Sequence, residues 1–559
     1  MKASKRGLKR LALLLVLVMA LTGLAACGGG SGGGGGSYDD GFAENVLRVT
    51  YTSEPESADP AVTTADYILM MNCLDTLVCT ETNEDGENVT VPSLAKEWEI
   101  SDDGLTYTMH LEQGVMFTNG EELTADDVLY TVDRMLDPAR AGKNTVWMDM
   151  LAGAKDVLDG NATTVEGKGI IIQDDYNFQI VLEQPYAPFL SMLSVPAWSI
   201  MNREAGDIAD EAGGGAATSK YGSDPEYFVG SGPFILKEWV LNDHVYLETN
   251  KDYWKGASEL DGILIRIIPD AETEKMLFDQ GQIDIFDLDH ALDQIPTYKE
   301  SEEWKDNIVE KTVLGTSYLS INEKIEPLND AKVRQAIQMA IDRQTIIDSC
   351  YYGAAVPASG LFPEGLPGYN PDLAPIEYDP EGAKKLLAEA GYPDGFEMTL
   401  TQTTDSSVTD SAIDEVIAAQ LGEVGIKVNI EQMDSATWYD VRATGELPMY
   451  RTSWTADFND PDNFIYVFFN PTATVSRSFN YYNTEAMDRI EAARYMTDPE
   501  ARMAEYTALE QLVIRDDAAM VPLWHKTKVR VVQDRVQNFV PMWAGYGDCS
   551  FYGVSLKTN

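Results

Sequence analysis

The stretch RTSWTADFNDPDNF, Arg451 to Phe464, sets three carboxylates, Asp457, Asp460 and Asp462, among Trp454, Phe458 and Phe464. Such a pattern has the chemistry of a metal loop, of a catalytic carboxylate pair, or of a receptor for something cationic. Counted from Asp457 as a calcium loop, Asn459 falls third, but Pro461 falls fifth and Phe468 twelfth, where oxygen ligands are required. No metal site is expected there. Catalysis needs a positioned base or nucleophile, and the four histidines, His110, His244, His290 and His525, stand neither in H-E-x-x-H nor beside a nucleophile elbow. Asp457 with Asp460 would suit glycoside hydrolysis only at a separation the sequence does not give. No catalytic residue and no cofactor is assigned, and Asp460 and Asp462, flanking Pro461, read best as turn and capping residues.

The elements that hold this stretch alternate. Val333, Ala336, Ile337, Ala340 and Ile341 fall at helical spacing and make one core-facing stripe. Asp379 and Pro380 open a second helix and Gly391 stops it. A strand near Met398 to Thr401, a helix from about Ser411 to Val424 and the alternating strand Ile426, Val428, Ile430 follow with short links, which implies a parallel pair with a right-handed crossover. Asp498 and Pro499 start a further helix to about Arg515. Nearer the N-terminus, Val46 to Thr52 alternates like a strand, Asp102, Asp103 and Gly104 read as a hairpin turn, and Thr124 caps a helix with Asp126 and Asp127 in its first turn. The class is α/β.

Composition places this fold outside the cytoplasm. Basic residues Lys2 to Arg10 precede an apolar run from Leu11 to Ala20, too short for a bilayer that needs about 20 apolar residues, so residues 1–26 read as an export signal. Leu24, Ala25, Ala26 and Cys27 resemble the bacterial lipobox, with Cys27 as the lipidated residue. The Gly/Ser run behind it, part of a 27–45 tether, cannot pack and reaches on the order of 17 Å. The membrane contact expected is through that lipid alone. A formal charge of −50 repels nucleic acid and anionic headgroups, so no nucleic-acid partner is expected. Cys73, Cys79, Cys350 and Cys549 have no zinc-site spacing and are read as structural, a Cys73–Cys79 bridge being open.

Several collinear stretches resemble the family 5 extracellular solute-binding proteins, the oligopeptide and dipeptide receptors of ABC importers. Residues 92–135 (PSLAKEWEISDDGLTYTMHLEQGVMFTNGEELTADDVLYTVDRM) look like that family's signature region. VGSGPFILKEW, NKDYWKG, GQIDIF, NDAKVRQAIQMAIDR and AKKLLAEAGY continue the order through residue 392. The resemblance implies a two-lobed, periplasmic-binding-protein-like α/β fold with an additional domain and the ligand in the inter-lobe cleft. Carried onto this chain, lobe one takes 46–76, 196–314 and 525–559, the additional domain 77–195 and lobe two 315–524, with hinge residues near 315 and 525.

The resemblance also suggests roles. Asp457 stands where peptide-binding relatives pair an aspartate with the ligand's α-ammonium, and Arg451 where some receive its carboxylate. Trp454 and Phe458 would wall the pocket, with Thr64, Asp66 and Tyr318 as further cleft residues. The implied function is a lipid-anchored, monomeric receptor on the outer side of the cell membrane that captures short peptides and delivers them to ABC permease subunits. Nickel chelates, haem, opines or oligosaccharides are alternative ligands. A peptide-sensing signalling lipoprotein and a secreted hydrolase are alternative functions.

Overall fold

A single strand of 13 residues, Met520–Val532, joins two parts of the main sheet. Its first half pairs antiparallel with Gly315–Ile321 and Ala355–Pro357, and its second half pairs antiparallel with Ile308–Thr312 and Ile285–Asp287. Gly315–Ile321 pairs on its other edge with Met449–Thr455, the strand that leads into the acidic stretch. The chain therefore crosses twice at one place, once through Val313 and Leu314 and once through His525 and Lys526. There Val313 N–H donates to the Lys526 carbonyl at 3.0 Å, and His525 Nδ1 lies 3.1 Å from both the Gly315 carbonyl and Thr316 Oγ1. Burial pushes the His525 imidazole down to about 4, so it is neutral at physiological pH.

These relations come from a computed structural model that describes residues 40–64, 67–83, 88–545 and 550–557. The export signal, Cys27, the tether up to residue 39, Asp66 and Cys549 lie outside the described residues. Among those described, no helix is long and apolar enough to cross a membrane.

The remaining sheets are built from local segments. Val46–Tyr51 pairs parallel with Gly262–Ile267, which continues antiparallel through His244–Thr249 to Phe234–Val240. Ala95–Ile100, Thr106–Leu111, Asn177–Val181 and Ile170–Asp174 form an antiparallel four-stranded sheet, and its first turn uses Gly104 at φ +70°. Phe396–Thr403 and Ile426–Met433 pair parallel across the helix Val408–Glu423, as their spacing predicts.

Helix starts follow the capping residues. Asp127 accepts from the Thr124 N–H at 2.9 Å, and Asp379 accepts from the Gly382 N–H at 2.8 Å. Two helices differ from expectation. The one expected from Ser411 begins at Val408, because Ser407 Oγ accepts from the Asp410 N–H at 3.0 Å and so sets the cap three residues earlier. The one expected to run evenly to Arg515 is α-helical over Pro499–Glu510 and widens to a π turn over Gln511–Asp516. That wider turn presents the carbonyls of Ile514 and Asp516 to the side-chain amides of Gln338 and Gln335, at 2.8 and 2.9 Å.

The helix Ala331–Met339 buries Val333, Ala336 and Ile337 in a cluster with Leu319, Ile321, Leu400, Ile417, Val521 and Leu523. Cys73, Cys79 and Cys350 are free thiols, so the open question of a Cys73–Cys79 bridge is answered by two separate thiols. The backbone of Cys73 explains the glycines of VGSGPF, since the Gly232 N–H donates to the Cys73 carbonyl at 3.0 Å and a Cβ on Gly230 would collide with that carbonyl. Gly230→Ala should therefore destabilise the fold by about 2–3 kcal/mol in urea unfolding. An unchanged midpoint would show that this backbone contact carries no constraint.

Candidate functional site

The loops that leave these sheets wall a cleft of about 1180 Å³. Thr52 and the segment Asp289–Asp293 line it on one side of the crossing. Parts of the turn and helix between Thr401 and Asp414, the helix Ser435–Ala443 and the strand residues Arg451–Thr455 line it on the other. Gly315–Ser317 and Lys526, from the crossing itself, complete the lining together with Tyr351 and Tyr352.

The cleft is acidic and aromatic. Five carboxylates, Asp289, Asp293, Asp405, Asp410 and Asp414, face two full cations, Arg451 and Lys526. Arg451 Nε donates to Asp414 at 2.6 Å, and its terminal nitrogen donates to the Asp410 carboxylate at 2.8 Å and to the Asp410 carbonyl at 3.1 Å. The expected receptor of a ligand carboxylate is thus occupied by an ion pair within the protein. Lys526 lies 3.3 Å from Asp289.

Trp454 lines the cleft, its indole N–H donating to the Asn463 carbonyl at 2.6 Å and its ring lying under the Arg477 guanidinium at 4.8 Å. Asp457 lies two residues beyond the end of that wall strand, outside the residues that line the cleft, and is half-buried. Its N–H donates to Asn463 Oδ1 at 2.8 Å, and Asn463 Nδ2 donates to its Oδ2 at 3.2 Å. Burial pushes the Asp457 carboxyl up to about 6, against the Asn463 hydrogen bond and the Arg477 charge. Its charge also reaches Tyr67, whose hydroxyl is raised first by burial and then by Asp457 and Glu56.

The neighbouring acids are held differently. Asp460 forms a bidentate pair with Arg502 at 2.7 and 2.8 Å and accepts from the Asp462 N–H at 2.9 Å, a turn role with an ion pair added. Asp462 takes the Tyr186 hydroxyl at 2.8 Å, the Tyr506 hydroxyl at 3.3 Å and Arg494 at 3.1 Å.

Residues 89–476 match the family model described as bacterial extracellular solute-binding proteins, family 5, middle. The chain belongs to family 5 of the bacterial extracellular solute-binding proteins. Over 475 residues it is 31% identical to "Heme-binding protein A" of Haemophilus influenzae, covering 83% of this chain and 84% of that one. Over 467 residues it is 30% identical to the "Dipeptide-binding protein" of Escherichia coli, covering 81% and 84%. Its fold superposes with a TM-score of 0.73, at 29% identity and over 92% and 98% of the two chains, on the ABC transporter-associated periplasmic binding protein DppA from Helicobacter pylori in complex with the peptide STSA. This is a family of two-lobed binding proteins rather than of enzymes.

Within this family 5 protein, some expected site residues belong to the core. Tyr318, expected at the ligand, is 1% exposed, because Gly315–Ile321 is a central strand covered on both faces and the ring packs against Phe468 and Phe479. Phe458 is 4% exposed and meets Trp147 edge to face, which makes it packing and not pocket wall. Thr64 is exposed and its N–H donates to Glu56 at 3.1 Å, away from the cleft lining.

The Thr401–Asp414 lining was missed, although it carried a signal. TQTTDSSVTD follows a predicted parallel strand and precedes a helix, and ligands of open α/β sheets bind outside the carboxyl ends of such strands.

The buried pair gives a direct test of Arg451. Arg451→Met leaves Asp414, whose side chain is 4% exposed, without its cation and should cost about 3–5 kcal/mol in urea unfolding, most of it recovered by adding Asp414→Leu. Unaltered stability with weakened ligand binding would instead return Arg451 to the ligand.

Proposed function

We propose that this protein captures short peptides outside the cytoplasmic membrane, as a monomer tethered by a lipid on Cys27, and delivers them to the permease of an ABC importer. Lobe one takes 46–76, 196–314 and 525–559, the additional domain 77–195, and lobe two 315–524. The sheets support this division, since the one that begins at Val46–Tyr51 draws on the first group and the one that begins at Ala95–Ile100 stays within the second. The strand Met520–Val532, which spans residue 525, then serves with Val313 and Leu314 as the hinge.

The observation that carries the reading is Asp457, a half-buried carboxylate two residues beyond the cleft-wall strand, whose carboxyl burial raises to about 6. An α-ammonium closed against it forms charge-assisted hydrogen bonds worth about 1.5–3 kcal/mol each. The dipeptide-binding relative and the peptide complex named above point the same way. Extended protein backbone beside the cleft can pair with a peptide's own backbone, so affinity need not depend on every side chain. The relative named for heme favours a second reading, in which the cleft takes a tetrapyrrole.

Mass spectrometry of ligands released on denaturing the purified protein tests these together. Short peptides are expected from the wild type, and Asp457→Asn should bind them about 10–100-fold more weakly. Wild-type affinity should be full above pH 6 and fall as the carboxyl protonates through about 6, while the variant shows no such step. A sugar, a metal complex or a Soret-absorbing ligand, unaffected by Asp457→Asn, would overturn the peptide reading.

A further inference from the structure

Hydrogen-bond acceptors stand at the end of the strand Phe396–Thr403 and in the turn that follows it. Gln402 lines the cleft, is 8% exposed, and its Oε1 is buried without a hydrogen-bond partner among the described residues. A buried carbonyl left unpaired costs about 1–3 kcal/mol, so this part of the wall favours a ligand that brings a donor. Asp405, three residues on, is exposed and accepts from Ser435 Oγ at 2.6 Å. The hydroxyls of Ser435 and Thr403 hold its carboxyl below the usual range, which keeps it ionised. No described cation pairs with it.

The rest of the lining sharpens the charge balance. Arg451 is shared by Asp410 and Asp414, and Lys526 is taken by Asp289, which also receives Arg530 at 3.2 Å. Both full cations of the cleft are thus neutralised by its own acids. Asp293 and Asp405 remain over, without an ion-pair partner among the described residues.

We propose that the cleft selects peptides carrying a basic side chain, with the lysine ammonium or arginine guanidinium seated between the Gln402 carbonyl and the Asp405 carboxylate. The inference rests on the peptide reading above and names the class of peptide. A basic side chain only donates, so it meets the Gln402 acceptor and a carboxylate without an ion-pair partner at once. An acidic side chain would have to displace Asp410 or Asp414 from Arg451, or Asp289 from Lys526. An apolar one would leave the Gln402 carbonyl unpaired.

Calorimetric titration of the purified protein with Ala-Lys-Ala, Ala-Met-Ala and Ala-Glu-Ala tests this. The lysine peptide should bind about tenfold tighter than the methionine peptide, the glutamate peptide should bind weakest, and added salt should narrow the spread. Asp405→Asn should reduce the lysine-to-methionine ratio to below about threefold, and Gln402→Met should shift preference toward the methionine peptide. Equal affinity for all three peptides would overturn the basic-side-chain inference and leave the peptide reading standing. Binding of none would overturn both.

Discussion

A carboxylate taken out of water and met by an amide sets the terms of this structure. The Asp457 carboxyl rises from an ordinary 3.8 to about 6, chiefly because burial disfavours its charged form. That shift corresponds to about 3 kcal/mol of differential interaction, on the scale of roughly 1.4 kcal/mol per unit. Because the folded value lies above the unfolded one, the contribution is present below the ordinary carboxyl range and is lost as pH rises through 6. On the proposed reading, a cation arriving at Asp457 would offset part of that burial cost at neutral pH. Asp460 and Asp462 of the same stretch are paired with Arg502 and Arg494, and burial raises the Asp462 carboxyl to about 6 as well.

On the proposed reading, the surrounding architecture would couple the Asp457 site to the crossing. Asp457 follows the strand Met449–Thr455, which pairs with Gly315–Ile321, which pairs with Met520–Val532 at the double crossing. Ala456 N–H donates to the Leu314 carbonyl at 2.7 Å, so the backbone beside Asp457 is hydrogen-bonded to the crossing itself. A ligand that stabilises the ionised carboxylate better in a closed cleft than in an open one biases closure by that difference and no more. The short span between acid and crossing gives the bias a direct path.

Local features were legible in the sequence because local interactions decide them. Thr124, Asp379 and Asp498 cap helices through N–H groups within three residues, and the parallel pair around Val408–Glu423 follows from its spacing alone. The cleft was less legible, since topology decides which loops meet there. Asp289, Asp405, Trp438 and Lys526 share one lining although more than two hundred residues separate the first from the last. Arg451 looked available for a ligand because its partner Asp414 lies 37 residues earlier, on another element. Tyr318 and Phe458 were misplaced for a related reason: an aromatic on a central strand, or one packed against a ring about three hundred residues away, is covered on all sides, and pattern does not separate that from a pocket wall.

The most direct test follows the Asp457 carboxyl itself. Its ¹³Cγ resonance, assigned by loss in Asp457→Asn, should titrate near 6 in the ligand-free protein and drop below the ordinary carboxylate range when a short peptide is bound. A peptide with a blocked N-terminus should leave it near 6. An identical titration in the free and peptide-bound protein would contradict the account, because Asp457 would then contribute charge to the fold and nothing to the ligand.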